Sequence, residues 1–402
     1  MFTSKNTRRA TFSALTLTAF LGASPPTLAQ VAPAPASLQK TIGKYTVALR
    51  LPPEGVFAGE QIDIEFRLLD TSKIDPVSGA TGVTRVQTKA VVTMPEMAGM
   101  PAQNPKTHTE GVPGDYGMEC YFPHGGQYQI ALSLTLPGET KPLTTSFLVD
   151  VQDAEARQSK KPVPKPFFIE VRGTGTVVAG KPASLVFAIR DTKTKAMVKD
   201  FDIAHTKVFH LLIASRDLSW FAHEHPEAQP DGTFTHTQIF PSGGEYRIYG
   251  DVAPKGAGSQ ILGTSLKVSG VVPKPIPLVP SATKKTVEGV TASFSAAVSP
   301  IPVGRSTSLT FKLTDATSGQ PITDLEPYLG AFGHLMIIHQ DGQTVVHSHP
   351  AEDEAGLAAS RRGNVAFNAR FPKPGIYKAW GQFQRGGKVI TIPFVLKIGG
   401  GK

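Results

Sequence analysis

Two stretches of the chain carry histidines at matched spacing. One runs from Phe209-His210-Leu211 to Trp220-Phe221-Ala222-His223-Glu224-His225-Pro226, the other from Gly333-His334-Leu335 to Val346-His347-Ser348-His349-Pro350. Each reads as His, twelve residues, then His-x-His-Pro, and together they hold six of the eleven histidines. In the second stretch Asp341-Gly342 is a two-residue hairpin signal that pairs Gln340 with Gln343. Counting back from that turn sets His334 opposite His349 and Met336 opposite His347, and strand alternation puts all four on one face. The first stretch gives the same register if Arg216-Asp217-Leu218-Ser219 is a four-residue loop. Ser215 then faces Trp220, His210 faces His225 and Leu212 faces His223. The opposite face, with Phe209, Leu211, Ile213 and Trp220, is apolar and is expected to be the core side. Three neutral imidazoles suit Cu(II), Zn(II) or Ni(II), and the added thioether of Met336 tilts the set toward copper. The same residues also fit a plain reading, in which histidines decorate an exposed strand face and His-Pro ends the strand. His205, His236 and His339 break the pattern and are expected to be non-ligands.

A second candidate is soft. Met94-Pro95-Glu96-Met97-Ala98-Gly99-Met100-Pro101 spaces three thioethers along a loop, and Met118 and Cys120 alternate to one side of a strand. Met94, Met97 and Met100 could hold Cu(I), which prefers sulfur; equally, they could cover the mouth of a core. Cys120, the one cysteine, cannot form an internal disulfide, so it is either a buried small hydrophobe or a soft ligand. No catalytic set is expected: there is no Gly-rich phosphate loop, Gly-x-Ser-x-Gly elbow or Cys-x-x-Cys. The Ser and Asp residues near His223 lie in a predicted turn with nothing to shape an oxyanion hole.

The elements that carry these residues recur three times. Gly59, Phe66 and Asp70 match Gly180, Phe187 and Asp191, then Gly304, Phe311 and Asp315. Further on, Gly114, Phe122-Pro123, Gly126 and Tyr128 match Gly232, Phe240-Pro241, Gly244 and Tyr246, then Gly363, Phe371-Pro372, Gly375 and Tyr377. Stretches such as Ile62-Asp63-Ile64-Glu65-Phe66-Arg67-Leu68 alternate as half-buried strands, and each Asp closes its strand into a turn. Each Pro stops a ladder. The Tyr opens the next strand with its ring inward and its hydroxyl on a loop, like the corner tyrosine of immunoglobulin-type sandwiches. Gly 39 and Pro 34 among 402 residues favour short strands and turns over long helices.

The expected architecture is all-β: three tandem immunoglobulin-like β-sandwich domains joined by Pro-rich linkers. The expected boundaries are a signal peptide at 1–29, a disordered leader at 30–40, sandwiches at 41–152, 167–270 and 286–398, and linkers at 153–166 and 271–285. The start reads as an export signal. Lys5, Arg8 and Arg9 precede the apolar run from Phe12 to Ala23, and Thr27-Leu28-Ala29 offers small residues for cleavage. Thr7-Arg8-Arg9-Ala10-Thr11-Phe12 resembles a twin-arginine signal with its Phe one place late, and general secretion is the favoured route. The run is too short for a stable membrane anchor. Of the formal net charge of +9, the three cations before the cleavage point account for three. The remaining +6 is spread thinly over strands and linkers, which makes nucleic acid a poor partner.

The segment Met-Pro-x-Met-x-x-Met, a Gly-x-Tyr segment and Phe-Pro-x-x-Gly-x-Tyr resemble the YtkA-like family of periplasmic immunoglobulin-like domains, loosely over all three units. The hairpins resemble related heavy-metal-associated exported proteins with Phe-Ala-His-x-His-Pro segments. The resemblance implies an exported, periplasmic or secreted protein that occurs beside copper-handling partners. A metal role carried over would fall on Met94, Met97, Met100, His210, His223, His225, His334, His347 and His349. The expectation is therefore a non-enzymatic metal-binding protein for copper, with zinc as the alternative, acting in periplasmic sequestration or delivery. Its partner would be another envelope metal-handling protein. The rival expectation is a structural or interaction array without metal, and a zinc enzyme stands third.

Overall fold

The structure, a computed structural model, describes residues 38–75, 79–97, 99–159, 165–204, 206–281, 283–350 and 354–399. The expected signal peptide and most of the expected leader lie outside the described residues. Six sheets pair into three sandwiches, each with its own apolar core. In unit one, Gln39–Ile42, Tyr45–Arg50, Gln61–Asp75, Asp115–Tyr121 and Thr107–Thr109 form one sheet, with Gly79–Gly82 paired to Gln61–Asp75. Val56–Phe57, Leu143–Gln152, Gly126–Thr135 and Gln87–Thr93 form the other.

Units two and three share a simpler plan. In unit two the order Phe167–Gly173, Pro182–Asp191, Phe234–Ile239, Glu227–Ala228 makes one sheet. The other runs Phe201–Asp202, Gly244–Pro254, Phe209–Ser215, Phe221–Glu224, with Gln260–Val268 also on Gly244–Pro254. Unit three repeats this with Lys284–Val287, Val290–Ala296, Ser306–Asp315 and Asn364–Arg370 in the first sheet. Its second sheet runs Leu325–Glu326, Gly375–Arg385, His334–His339, Val345–Ser348, with Lys388–Ile398 on Gly375–Arg385.

The repeated residues explain why the same unit forms each time. Phe66, Phe187 and Phe311 are fully buried, and each such ring removed from water contributes roughly 1.5–3 kcal/mol. Gly59, Gly180 and Gly304 donate their N–H to the carbonyls of Phe122, Phe240 and Phe371 at 2.7–2.8 Å, tying the first half of each unit to the second. Tyr128, Tyr246 and Tyr377 are buried, and their hydroxyls donate to the carbonyls of His124, Ser242 and Lys373, four residues upstream, at 2.8–3.0 Å. That corner needs a φ of 128–138° at Gly126, Gly244 and Gly375, a region that residues with a Cβ rarely enter. Asp70, Asp191 and Asp315 accept from backbone N–H groups two or three residues on, which closes each strand into its turn.

Three boundaries differ from expectation. Gln39 and Lys40, expected in the leader, pair with Ala48 and Val47, because an apolar Leu38 and Ile42 pack onto the first core. Residues Ala154–Ser159 of the first expected linker form a short helix, and unit three opens with Lys284–Val287, whose first two residues fall in the second expected linker. Among the described residues no helix is long and apolar enough to cross a membrane.

Candidate metal centre

Both hairpins have the register that the spacing predicts. Leu212 pairs with His223 and Ala214 with Phe221 in unit two, and Met336 pairs with His347 and Leu335 with Ser348 in unit three. The turns are alike. Ser215 donates to Trp220 O and Leu218 to Ser215 O; His339 donates to Thr344 O and Gly342 to His339 O. The connection in unit three is therefore a four-residue loop, 340–343, and not the two-residue turn that Asp341-Gly342 suggests. The third loop residue is left-handed in both units, Leu218 at φ 58° and Gly342 at φ 71°. Phe209, Leu211 and Ile213 face the core of unit two, so the histidines face the other way.

That other face is buried. His210 and His334 are 1% and 0% exposed, because the hairpin sheets of units two and three pack against one another. Leu212, Ala214, Leu218 and Tyr249 of unit two meet Met336, Ile338 and Trp380 of unit three in one apolar patch. Phe221 stacks on Trp380 with centroids 4.5 Å apart, and Tyr249 Oη donates to Gly342 O at 2.9 Å. The two faces correspond residue for residue, Leu212 with Met336 and Tyr249 with Trp380, as in a self-complementary two-fold contact. Met336 thus lies on the face expected for it, within the apolar patch.

At one side of this patch the six histidines gather into two triads, His210/His223/His225 and His334/His347/His349, each able to direct one ring nitrogen per residue to a common point. Outer hydrogen bonds decide which nitrogens these are. His210 Nε2 donates to Ala204 O at 2.9 Å and His334 Nε2 to Tyr328 O at 2.8 Å, so Nδ1 of each turns inward. His347 Nδ1 donates to Asp251 Oδ2 at 2.6 Å, so its Nε2 turns inward. Gln382 donates through Nε2 to Thr391 Oγ1 and accepts through Oε1 from His223 Nδ1 at 2.7 Å, which turns His223 Nε2 inward as well. The inward atoms stand close: His210 Nδ1 is 3.4 Å from His223 Nε2 and 3.2 Å from His225 Nε2, and His334 Nδ1 is 3.5 Å from His347 Nε2. A tetrahedral ion with metal–nitrogen bonds of about 2.0–2.1 Å sets its ligands about 3.3–3.4 Å apart. The observed spacing fits such an ion, and the orienting bonds are those that metal-ligating histidines ordinarily make.

Electrostatics keep unit two's imidazoles neutral, the form that ligates. Burial pulls the His210 and His223 pKa values down, with His347 adding to the shift; burial and the neighbouring His210 bring His225 to about 3. Burial pushes Asp251 the other way, yet its bond to His347 and the nearby His210 outweigh that and hold it at about 2. A buried carboxylate beside the triads could serve as counter-charge to a cation.

The orienting shell crosses the contact. Asp251 belongs to unit two and serves His347 of unit three; Gln382 belongs to unit three and serves His223 of unit two. Rings of the two triads approach to 5.9 Å for His210 and His347, 5.9 Å for His223 and His334, and 6.0 Å for His223 and His347. The sequence reading missed Asp251 and Gln382. The available signal was their shared offset: each sits in the strand that begins with the repeated Gly-x-Tyr, seven residues after Gly244 and Gly375 respectively, on the same face as Tyr249 and Trp380.

The remaining candidates are placed differently. Met94 belongs to the core of unit one, Met100 packs against that core, and Met97 is 44% exposed. Met118 and Cys120 are buried in the same core, and burial pushes the Cys120 thiol up to about 12. His339 bonds Asp341, and half-buried His236 bonds Gln238; His205 lies outside the described residues. A third group, Asp63, His108 and Glu110, also clusters. There His108 Nε2 reaches Asp63 Oδ2 at 3.0 Å and Glu110 Oε1 at 2.9 Å. The two carboxylates hold a proton on that nitrogen, which makes the cluster an ion-pair triad.

Comparison with known proteins finds two family matches. Residues 168–265 and 285–400 match the domain of unknown function DUF8832, and residues 39–133 match the YtkA-like family. The YtkA-like likeness thus holds for most of unit one, and the two histidine units match the DUF8832 model. No curated protein matches the chain. Similar solved structures include a Corynebacterium diphtheriae protein described as membrane anchored, 11% identical, covering 88% of this chain and 89% of that one at a TM-score of 0.18. A Salmonella alpha-2-macroglobulin mutant is 10% identical over 91% of this chain and 24% of its own, at 0.21. The FN1–FN3 domains of chicken CNTN1 are 9% identical over 85% and 99%, at 0.16.

Proposed function

Starting from a chain that belongs to the DUF8832 family, whose name assigns no activity, we propose an exported, non-enzymatic protein that binds copper or zinc at its histidine triads. It sequesters the ion in the periplasm or passes it to another envelope metal-handling protein. One observation carries this reading: three imidazole nitrogens lie within 4.8 Å of one another in each triad, at 3.2–3.5 Å for His210 with His223 and His225 and for His334 with His347, and fixed acceptors engage the other nitrogens of His210, His223, His334 and His347. An all-imidazole donor set suits Cu(II) or Zn(II). Carboxylate and carbonyl acceptors behind the rings are the usual companions of such ligands.

Equilibrium dialysis of the exported chain against Cu(II) and Zn(II), with metal counted by mass spectrometry, tests the proposal. Bound metal should disappear when His334, His347, His349, His210, His223 and His225 are replaced by Ala, with the far-ultraviolet circular dichroism of the β-fold retained. A wild-type chain that retains neither ion above background defeats it. The rival reading, a structural array, draws support from the same cross-unit bonds, which also staple unit two to unit three. It predicts the opposite split: lost stability in the histidine variants with no metal in any of them.

A further inference from the structure

The two triads are copies in sequence, but the residues behind them are not. Directly cross-strand from the first histidine, unit two carries Asp251 opposite His210 and unit three carries Gln382 opposite His334. Each reaches over the contact to the second histidine of the other unit, at 2.6 Å and 2.7 Å. The unit-three triad is therefore backed by a carboxylate and the unit-two triad by a neutral amide. Both are themselves held, Asp251 by Ser259 Oγ at 2.8 Å and Gln382 by its bond to Thr391, so the difference is built into the fold.

A carboxylate accepting the Nδ1 proton makes the opposite ring nitrogen a stronger donor and adds a negative charge beside the ion; an amide does the first weakly and the second not at all. The triads also feel one another, since their nearest rings stand 5.9–6.0 Å apart. A second dication would enter beside the first, with one buried carboxylate between them to offset both charges. Resting on the metal-binding reading, we propose that the two triads form a paired, inequivalent centre that fills in order. The His334/His347/His349 triad takes the first ion, the His210/His223/His225 triad takes the second more weakly, and Asp251 sets the order from across the unit boundary. Gln382 is its counterpart for the weaker site. Both are positioning residues that act through His347 and His223.

Calorimetric titration of the exported chain with Zn(II) tests this. Wild type should bind two ions with dissociation constants at least about tenfold apart, the usual scale of an orienting carboxylate being about 10–100-fold. His349→Ala, at a half-buried ligand, should remove the tight event and leave the weak one; His225→Ala should do the reverse. Asp251→Asn should weaken the tight event by about 10–100-fold and the event that His225→Ala removes by distinctly less. Gln382→Glu should tighten the weak event, and this gain decides the matter if Asp251→Asn does not fold. Two equal sites in wild type would overturn the proposal, as would loss of the weak event in His349→Ala. Equal weakening of both sites in Asp251→Asn, or no gain in Gln382→Glu, would also overturn it. No bound zinc or copper in wild type is a separate result, which removes the metal reading itself.

Discussion

A thiol and six imidazoles were the reactive side chains of the sequence, and burial gives them opposite roles. Burial pushes Cys120 up to about 12, so almost no thiolate forms at neutral pH. Native protein at pH 8 should therefore resist iodoacetamide and take up one label per chain once unfolded in guanidinium, as mass spectrometry would read; labelling of the native chain at the rate of an exposed thiol contradicts the assignment. For His210, His223 and His225, burial favours the neutral form and leaves a lone pair for a cation. What the sequence could state was which histidines share a face, because a strand has period two and the register of His334 or His210 follows from its turn. It could not state that the face is covered. A strand face rich in His looks exposed until its partner is known, and Asp251 and Gln382 make no pattern with the histidines along the chain.

The paired sheets of each unit were legible because the repeat supplies three readings of each position. Gly126, Gly244 and Gly375 all take the same unusual φ, and Tyr128, Tyr246 and Tyr377 all bond four residues back. Unit one shows where a repeat departs from its copies. In place of a hairpin it has Thr107–Thr109 on Asp115–Tyr121, and there His108 lies between Asp63 and Glu110. Burial lowers the His108 pKa, but the bonds to both carboxylates outweigh it and raise it to about 11. With the folded pKa above the unfolded value of about 6.5, the stabilisation is complete below pH 6.5 and is lost as pH rises toward 11. His108→Gln removes the charge pairing at every pH, so its cost relative to wild type should be largest near pH 6 and shrink steadily by pH 10. Urea melts of both chains at pH 6, 8 and 10 measure that gap, and a gap that stays constant or widens would show that His108 is not held protonated by its neighbours.

At the scale of the molecule, the contact between units two and three brings the two hairpins' histidines together. Its apolar part and its histidine part adjoin, and the residues that orient the triads come from opposite sides, so on the metal-binding proposal docking and metal affinity should be coupled. Trp380 is the place to separate them. It is 3% exposed, stacks on Phe221 of the other unit, and touches none of the six histidines by ring contact among the described pairs. Truncating a buried Trp to Ala costs about 3–5 kcal/mol in a core. Here the loss falls on the docking of two sandwiches whose own cores are separate. Trp380→Ala should therefore leave the β-fold intact, while small-angle scattering reports a larger radius of gyration as the units part. Once they part, Asp251 no longer reaches His347 and Gln382 no longer reaches His223. Zinc affinity at both triads should then fall by about 10–100-fold although every ligand is present. Adding Zn(II) should in turn draw the variant back toward the wild-type radius, since an ion that binds the docked form preferentially stabilises it. If the units separate while both affinities stay at the wild-type value, each triad is self-sufficient, and the cross-unit bonds are packing without a part in holding the ion.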